Sequence, residues 1–425
     1  MKVVVHDYSG HPGQVHLSRE LARRGHVVEH QFCASYTTGR GATDRRHDDP
    51  QTFSVRALTL STEFKRYNPV IRVAQEFQYA WVAARALLAA HPDVVVLSNI
   101  PLLGMLPVTW ALRLRRVPYV HWWQDVYSDA INTVARRRLG WAGVLVGRLA
   151  QQIERHIVRR SAKVVAIADA FLEQLDQWQI DRNHARVIPN WGAIDEMPVR
   201  ARDNEWAQAH ELADAPVVMY SGTLGLKHDP SVIAKLAENA PDGTRVVVVS
   251  QGLGREWLEA EKLRASGASA ALMLLDYQPY EQLPDMLASA DVLFVVLESD
   301  ASRYSVPSKV LNYLCAGRPV LALLPPDNAV AEMVTAAGAG VVVDPKDTEA
   351  TAAEVARLLG DAGARERMGA AARRYAEDTF DVGRIGDLFE SVLIDVYDRK
   401  ARFEQTRKPG GGKLDASQAR STGSE

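Results

Sequence analysis

Cysteine is almost missing from this 425-residue chain; Cys33 and Cys315, far apart, are the whole complement. Two thiols so placed form neither a disulfide framework nor a zinc pattern, and they suit a reducing, cytosolic setting. A charge excess is lacking as well. Fifty lysines and arginines stand against 52 acids, for a formal net charge of −2. That balance excludes whole-surface attraction to nucleic acid or anionic lipid. The start, Met1-Lys2-Val3-Val4-Val5-His6-Asp7, is too short in apolar residues for a signal peptide and reads as a first strand. An unbroken hydrophobic span is wanting too. Val94 to Leu112 carries no charge over 19 residues, but Asn99, Pro101, Gly104 and Pro107 interrupt it. It reads as a buried strand, Val94–Ser98, then a loop and helix over Pro101–Arg116. No short-period repeat is visible. Neither the dinucleotide fingerprint Gly-x-Gly-x-x-Gly nor a Walker A loop occurs at the glycine-bearing turns.

What is present is an alternation. Short Val- and Ile-rich runs mark strands at Val3–His6, Val27–Gln31, Phe53–Leu58, Val94–Ser98, Pro118–His121, Lys163–Ala168 and Arg186–Pro189. Helical patterns separate them, at Gln14–Arg24, residues 70–90 and 141–160 among others. After a polar stretch, Asp195 to Ala215, the alternation restarts with Val217–Tyr220, Arg245–Ser250, Ala271–Leu275, Val292–Val296, Val320–Ala322 and Gly340–Val343. Strands of this kind separated by helices predict parallel, doubly wound α/β sheets. The expected organisation is therefore two Rossmann-like domains facing across a crevice. Residues 1–195 form the first and 196–380 the second, with a final amphipathic helix at 381–403. Residues 404–425, rich in Gly, Ser and Ala, read as a disordered tail.

In open α/β sheets ligands bind beyond the carboxyl ends of the strands. The first strand is followed by Asp7-Tyr8-Ser9-Gly10-His11-Pro12-Gly13, where Gly10 and Gly13 admit either a tight turn or close backbone approach to a ligand. His121-Trp122-Trp123-Gln124-Asp125 interleaves aromatics with polar groups, as a sugar or acceptor surface does. Asp125 could equally cap a helix. In Ser221-Gly222-Thr223-Leu224-Gly225-Leu226-Lys227 two glycines and a lysine precede a helix start, which suits a pyrophosphate. Gln251-Gly252-Leu253-Gly254 fits a plain turn as well as a ligand contact. The last stretch, Ser305-Val306-Pro307-Ser308-Lys309, opens a helix that Gly317 ends, with Ser305 as N-cap. Lys309 opposes the helix dipole there unless an anion docks on it. Two such lysine-bearing helix starts imply a nucleotide diphosphate held mainly by the second half.

The order of these motifs resembles the retaining GT-B glycosyltransferases of family 4, in particular the bacterial polysaccharide and lipopolysaccharide subgroup. The resemblance runs from residue 1 to about 398. It is carried by Leu21-Ala22-Arg23-Arg24-Gly25-His26-Val27-Val28, Val187-Ile188-Pro189-Asn190-Trp191, Tyr220-Ser221-Gly222-Thr223-Leu224-Gly225, Leu287-Ala288-Ser289-Ala290-Asp291-Val292, Pro307-Ser308-Lys309, Ala316-Gly317-Arg318-Pro319-Val320 and Glu332-Met333-Val334. It implies transfer of a sugar from a nucleotide-diphosphate sugar, with retention and with neither a metal nor another cofactor. The first domain would hold a glycan or lipid-linked acceptor through Gly10, Gly13, His121 and Gln124. The second would hold the donor through Gly222, Thr223, Gly225, Gly252, Ser308 and Asn312. Lys227, Lys309, Asp125 and Glu332 would be catalytic, and the last helix would cross back onto the first domain. Two departures stand out. The family's Glu-x7-Glu falls on Tyr304 and Asn312, and its His-Asp is here Gln124-Asp125. With those acids absent, a sugar-nucleotide 2-epimerase and a non-catalytic sugar-nucleotide-binding protein are the competing readings.

A cluster of arginines, from Arg113 through Arg136–Arg138 to Arg148 and Arg160, shares a segment with Trp141, Val144, Leu145 and Leu149 at helical spacing. This pattern suits either peripheral contact with the inner face of a membrane or a charged helix packed on its own core.

Overall fold

The computed structural model describes residues 1–35, 43–61, 69–225, 228–264, 271–298 and 308–406. The first sheet has seven strands: β1 (Lys2–Asp7), β2 (Val27–Cys33), β3 (Phe53–Leu58), β4 (Val94–Ser98), β5 (Tyr119–Trp123), β6 (Lys163–Ala166) and β7 (Ala185–Val187). The second has six: β8 (Val217–Ser221), β9 (Arg245–Val249), β10 (Leu272–Leu275), β11 (Val292–Val296), β12 (Val320–Leu323) and β13 (Gly340–Val343). Helices connect them. In the first half these are α1 (Pro12–Arg23), α2 (Pro69–Ala89), α3 (Leu102–Leu114), α4 (Tyr127–Leu139), α5 (Trp141–Arg160) and α6 (Ala170–Gln177). In the second they are α7 (Glu205–Ala209), α8 (Pro230–Glu238), α9 (Leu253–Arg264), α10 (Leu283–Ala288), α11 (Lys309–Cys315), α12 (Ala329–Ala336), α13 (Thr348–Gly360), α14 (Ala362–Thr379) and α15 (Val382–Thr406).

Every strand pairing is parallel. The central strands are buried on both faces, which is why β4 (VVVLS), β9 (RVVVV) and β11 (VLFVV) read as continuous apolar runs rather than alternating ones. The spatial orders are β3-β2-β1-β4-β5-β6-β7 and β10-β9-β8-β11-β12-β13. Each order reverses once, between β1 and β4 and between β8 and β11. Those reversals open a crevice at the carboxyl ends of the strands.

The final helix α15 packs on α1 of the first domain. Arg24 reaches Asp387 at 2.6 Å and Glu390 at 2.9 Å, and His26 meets Glu390 at 2.7 Å. Gly386 faces Glu20 and Arg24 so closely that a Cβ there would stand 2.8 Å from Glu20 Cγ. No described helix is long and apolar enough to cross a membrane. The segment Val94–Leu112 divides into β4 and most of α3, as its prolines and glycine predict.

Candidate active site

At the reversal point of the second sheet, β8 and β11 lie side by side and their following segments meet. Tyr220 and Ser221 end β8, and Lys309 opens α11, the next described helix after β11. The Lys309 ammonium donates a hydrogen bond to the Tyr220 hydroxyl and sits 4.0 Å from the centre of that ring. Burial pushes the Lys309 amine down to about 7. A lysine in that state gains its charge most readily when an anion arrives. Gly222 makes the approach feasible. It has φ +136°, and a Cβ there would stand 2.8 Å from Lys309 Cε. Any side chain would be strained there and would displace the lysine.

The loop after β8 is held from several sides. The Ser221 N–H donates to Tyr313 Oη at 2.9 Å, and that hydroxyl donates to the Ser221 carbonyl at 3.1 Å. Tyr220 Oη donates to the Thr223 carbonyl at 3.0 Å, and the Thr223 and Tyr277 hydroxyls are hydrogen-bonded. Leu224 N–H reaches Gln251 O and Ser250 Oγ, each at 3.1 Å. Gly252 lies against the Leu224 carbonyl, where a Cβ would come within 2.9 Å. Gly225 N–H bonds His228 Nδ1 at 3.2 Å. Six of the sequence-predicted positions (Gly222, Thr223, Gly225, Gly252, Lys309, Ser308) thus belong to one connected structure. Asn312 lies one turn beyond Lys309, partly exposed. Glu332 sits in the first turn of α12, after β12, one strand further along the sheet. It lines a depression of about 490 Å³ with Asp327, Asn328 and Thr335. Lys227, Ser305, Pro307 and Tyr304 lie outside the described residues.

The first domain presents its own loops. Asp7 is committed to structure: its carboxylate accepts from Ser9 N and Oγ at 3.1 and 2.9 Å, and from Asn99 Nδ2 at 2.8 Å. This sets the turn through Gly10, where φ is +71°. Gly13 opens α1 against Trp191, with room of 3.7 Å between a notional Cβ and the Trp191 carbonyl. Gln124 and Asn190 exchange two amide hydrogen bonds, 3.1 and 2.6 Å long. His121 is inside β5, 7% exposed, and desolvation lowers it to about 4. It is therefore a neutral imidazole at pH 7. Asp125 follows β5, partly buried, just before α4.

Three residues to which the sequence assigned no role carry much of the architecture. Tyr220 is the partner of Lys309. Glu154 is buried, and its carboxylate accepts from Trp123 Nε1 at 3.0 Å and from the first-turn N–H groups of Tyr127 and Ser128 at 3.0 and 2.8 Å. Glu196 joins the domains: it accepts from His16 at 3.0 Å, from Arg46, and from the Tyr280 hydroxyl of the second domain at 2.7 Å. Among the described residues, no group of three or more His, Cys, Asp or Glu side chains could hold a metal ion.

Burial opposes the charged form of Glu196, and the bonds from His16, Arg46 and Tyr280 overcome it, holding the carboxyl at about 2 against an ordinary 4.5. The folded group is thus more acidic than the unfolded one. Its stabilisation is whole above about pH 5 and is lost as pH falls from 4.5 towards 2. Glu196→Gln should cost about 1–2 kcal/mol at pH 7 and flatten the acid limb of a stability-versus-pH curve. Urea melts at pH 7 and pH 3 check it; an equal deficit at both would refute the ionic account.

The two doubly wound domains have the GT-B fold, and each matches a glycosyltransferase family. Residues 12–191 match the family described as Glycosyl transferase 4-like domain, and residues 202–375 match Glycosyl transferases group 1. Among characterised proteins, the chain is 25% identical to an alpha-D-kanosaminyltransferase of Streptomyces kanamyceticus over 58% of this chain and 64% of that protein. It is 27% identical to a D-inositol 3-phosphate glycosyltransferase of Xylanimonas cellulosilytica over 46% of this chain and 45% of that one. The chain thus spans less than two thirds of the length of either relative. In fold it resembles Anabaena Alr3699/HepE in complex with UDP-glucose (TM-score 0.69, 17% identity, 93% of this chain and 100% of that one). It also resembles WaaG, a glycosyltransferase involved in lipopolysaccharide biosynthesis (TM-score 0.65, 16% identity, 92% and 99%).

Proposed function

We propose that this protein transfers a sugar from a nucleotide-diphosphate sugar to a glycan or lipid-linked acceptor, with retention at the anomeric carbon and without a metal, in the synthesis of a cell-surface polysaccharide. The observation that carries the reading is the meeting of the segments that follow β8 and β11 at the reversal point of the second sheet. There Lys309, partly buried and backed by Tyr220, lies against Gly222, whose missing side chain makes room for the lysine. The fold neighbour that holds UDP-glucose supports the same class of donor.

In this reading the second domain binds the donor. Lys309 stabilises negative charge as the nucleoside diphosphate departs, the kind of preorganised electrostatic term that dominates many enzymes. Ser308, at the N-cap of α11, and Asn312, in its first turn, add hydrogen bonds to the phosphates and ribose. Lys227 supplies a second cation and Glu332 orients the donor sugar. The first domain holds the acceptor along Gly10, Gly13 and the Gln124–Asn190 pair, with Asp125 beside them. The acceptor hydroxyl attacks from the face the diphosphate leaves, and its proton passes to the leaving phosphate oxygen. His121, buried and neutral, shapes the acceptor wall. Incubation with UDP-, GDP-, TDP- and ADP-sugars tests the proposal. Release of nucleoside diphosphate with sugar on an acceptor supports it. An epimerised nucleotide sugar, or binding without turnover, overturns it in favour of the two competing readings.

The setting we infer is the cytoplasmic face of a membrane, touched peripherally. The support is the orientation of α5. Its inward side is Gly143, Gly147 and Ala150, small enough for α4 to approach, while Leu145, Leu149 and Trp141 (81% exposed) turn outward. Arg136, Arg137 and Arg138 make the last turn of α4, which α5 follows directly, and Arg148 is on α5 itself. Aromatic and aliphatic side chains flanked by arginines suit an anionic interface. Trp141→Glu combined with Leu145→Glu should reduce co-sedimentation with phosphatidylglycerol vesicles at low salt about tenfold or more. Undiminished sedimentation would refute this face.

A further inference from the structure

A cavity away from the crevice lies at the opposite end of the first sheet. Pro118 and Ala162, which lead into β5 and β6, line it, so it opens at the amino ends of these strands. The sugar-transfer crevice opens at their carboxyl ends. The cavity is a slot of about 790 Å³ between α3, α5 and the last turns of α15. That volume is within the range of small-ligand sites. Its walls are apolar: Leu106, Pro107, Val117 and Val396. Trp110, 63% exposed, and Phe403, 57% exposed, also line it.

The rim has one sign of charge. Arg113, Arg116 and Arg160 come from α3 and α5, and Arg399 and Lys400 come from α15. Arg399 is paired with Asp395 at 2.9 Å, and Lys400 donates to the Asp93 carbonyl at 3.3 Å. Among the described residues, the side chains of Arg113, Arg116 and Arg160 have no hydrogen-bond or ion-pair partner, and no acid lines the slot. Such a site attracts an anion and rewards an apolar chain. The chain's own continuation past α15 does not complement it. Residues 407–425 carry four basic side chains (Arg407, Lys408, Lys413, Arg420) against two acidic ones (Asp415, Glu425).

We propose that this slot binds one anionic phospholipid molecule, an acyl chain among Leu106, Val117 and Val396 and the phosphate among Arg113, Arg116 and Arg160. Trp110 and Phe403, the exposed rings of the lining, mark the boundary between chain and headgroup, the place amphipathic rings favour. The site is separate from the outward face of α5 at Trp141 and independent of the transfer reaction.

Calorimetric titration of the full chain with monomeric dihexanoyl phosphatidate tests it. The matched controls are dihexanoyl phosphatidylcholine, with the same chains and no net charge, and inorganic phosphate. Phosphatidate should bind at least tenfold more tightly than either. Arg113→Glu with Arg160→Glu, both at the surface, should lower its affinity at least tenfold, and Leu106→Trp, which fills the slot, should do the same. Trp141→Glu should leave it unchanged. Absence of binding, equal binding of phosphatidylcholine or of free phosphate, or unaltered affinity in both slot variants would overturn the proposal.

Discussion

Lys309→Met should lower turnover of the correct nucleotide sugar about 30- to 150-fold, a loss of about 2–3 kcal/mol in transition-state stabilisation, without lowering the melting temperature. Methionine keeps the length and apolar stem of the side chain and drops the ammonium. The second half of this expectation follows from the environment. The amine is held near 7 by desolvation, so its protonated form is disfavoured in the empty protein. A group whose amine is less basic when folded than when unfolded opposes folding at neutral pH, and its removal relieves that cost. A site residue that weakens the fold and serves the reaction is the expected trade. The same state predicts a pH dependence. Below about pH 7 the lysine is already charged and nucleoside diphosphate affinity is flat. Above it, binding must take up a proton, and affinity falls up to tenfold per pH unit until the bound-state value is reached. Calorimetry at pH 8 in two buffers of different ionisation enthalpy should therefore report nearly one proton taken up per ligand. Wild-type kinetics in the variant, or no proton uptake, would remove Lys309 from the leaving-group site.

The strands were legible because a parallel sheet covered on both faces needs unbroken apolar runs, and β4, β9 and β11 supply them. Both ends of α5 were legible too, since Gly140 precedes it and Ser161 ends it. The helices α13 and α14 were not. Their alanine-rich sequences bury few positions, chiefly Thr351, Val355 and Leu358 in α13 and small residues in α14, so no strong apolar period marks them. In the site, the lysine beside a glycine loop was readable from local chemistry. Its partner Tyr220 was not, because a tyrosine inside an apolar strand looks like core until the sheet order brings β8 beside β11. The Gln124–Asn190 pair spans 66 residues, and the bonds of Glu196 to His16 and Tyr280 span 180 and 84. Contacts at that separation leave no local pattern. The outward stripe of α5 was ambiguous when only Trp141, Leu145 and Leu149 were counted. The small residues Gly143, Gly147 and Ala150 at four- and three-residue spacing are the signal for which side of α5 faces α4, because a close helix neighbour needs them.

Trp122→Ala should destabilise the first domain by about 3–5 kcal/mol and lower its calorimetric transition by roughly 6–20 °C. Trp122 is 1% exposed, the fourth of the five residues of β5. Its ring stacks on Trp191 at 5.7 Å and tilts against Phe389 of α15 at 4.6 Å. Those rings join three separate parts: the sheet, the segment leaving β7 towards the second domain, and the returning C-terminal helix. The effect should therefore reach beyond packing. Trp191 is followed by Gly192, which lies against α11 so closely that a Cβ would meet the Leu311 carbonyl at 2.9 Å. Leu311 stands two residues beyond Lys309 on the same short helix. Loosening Trp122 should thus raise KM for the donor as well as reduce stability, whereas a cavity elsewhere in the first domain, such as Leu17→Ala, should lower the melting temperature alone. A double-mutant cycle with Phe389→Ala gives the coupling, expected between about 0.5 and 3 kcal/mol for rings in contact. The indole N–H of Trp122 has no hydrogen-bond partner among the described residues, so Trp122→Phe should keep most of the stability that Trp122→Ala loses. Additive energies in the cycle, or an unchanged donor KM in Trp122→Ala, would show that this aromatic cluster packs the first domain without fixing how α15 and α11 are placed around the crevice.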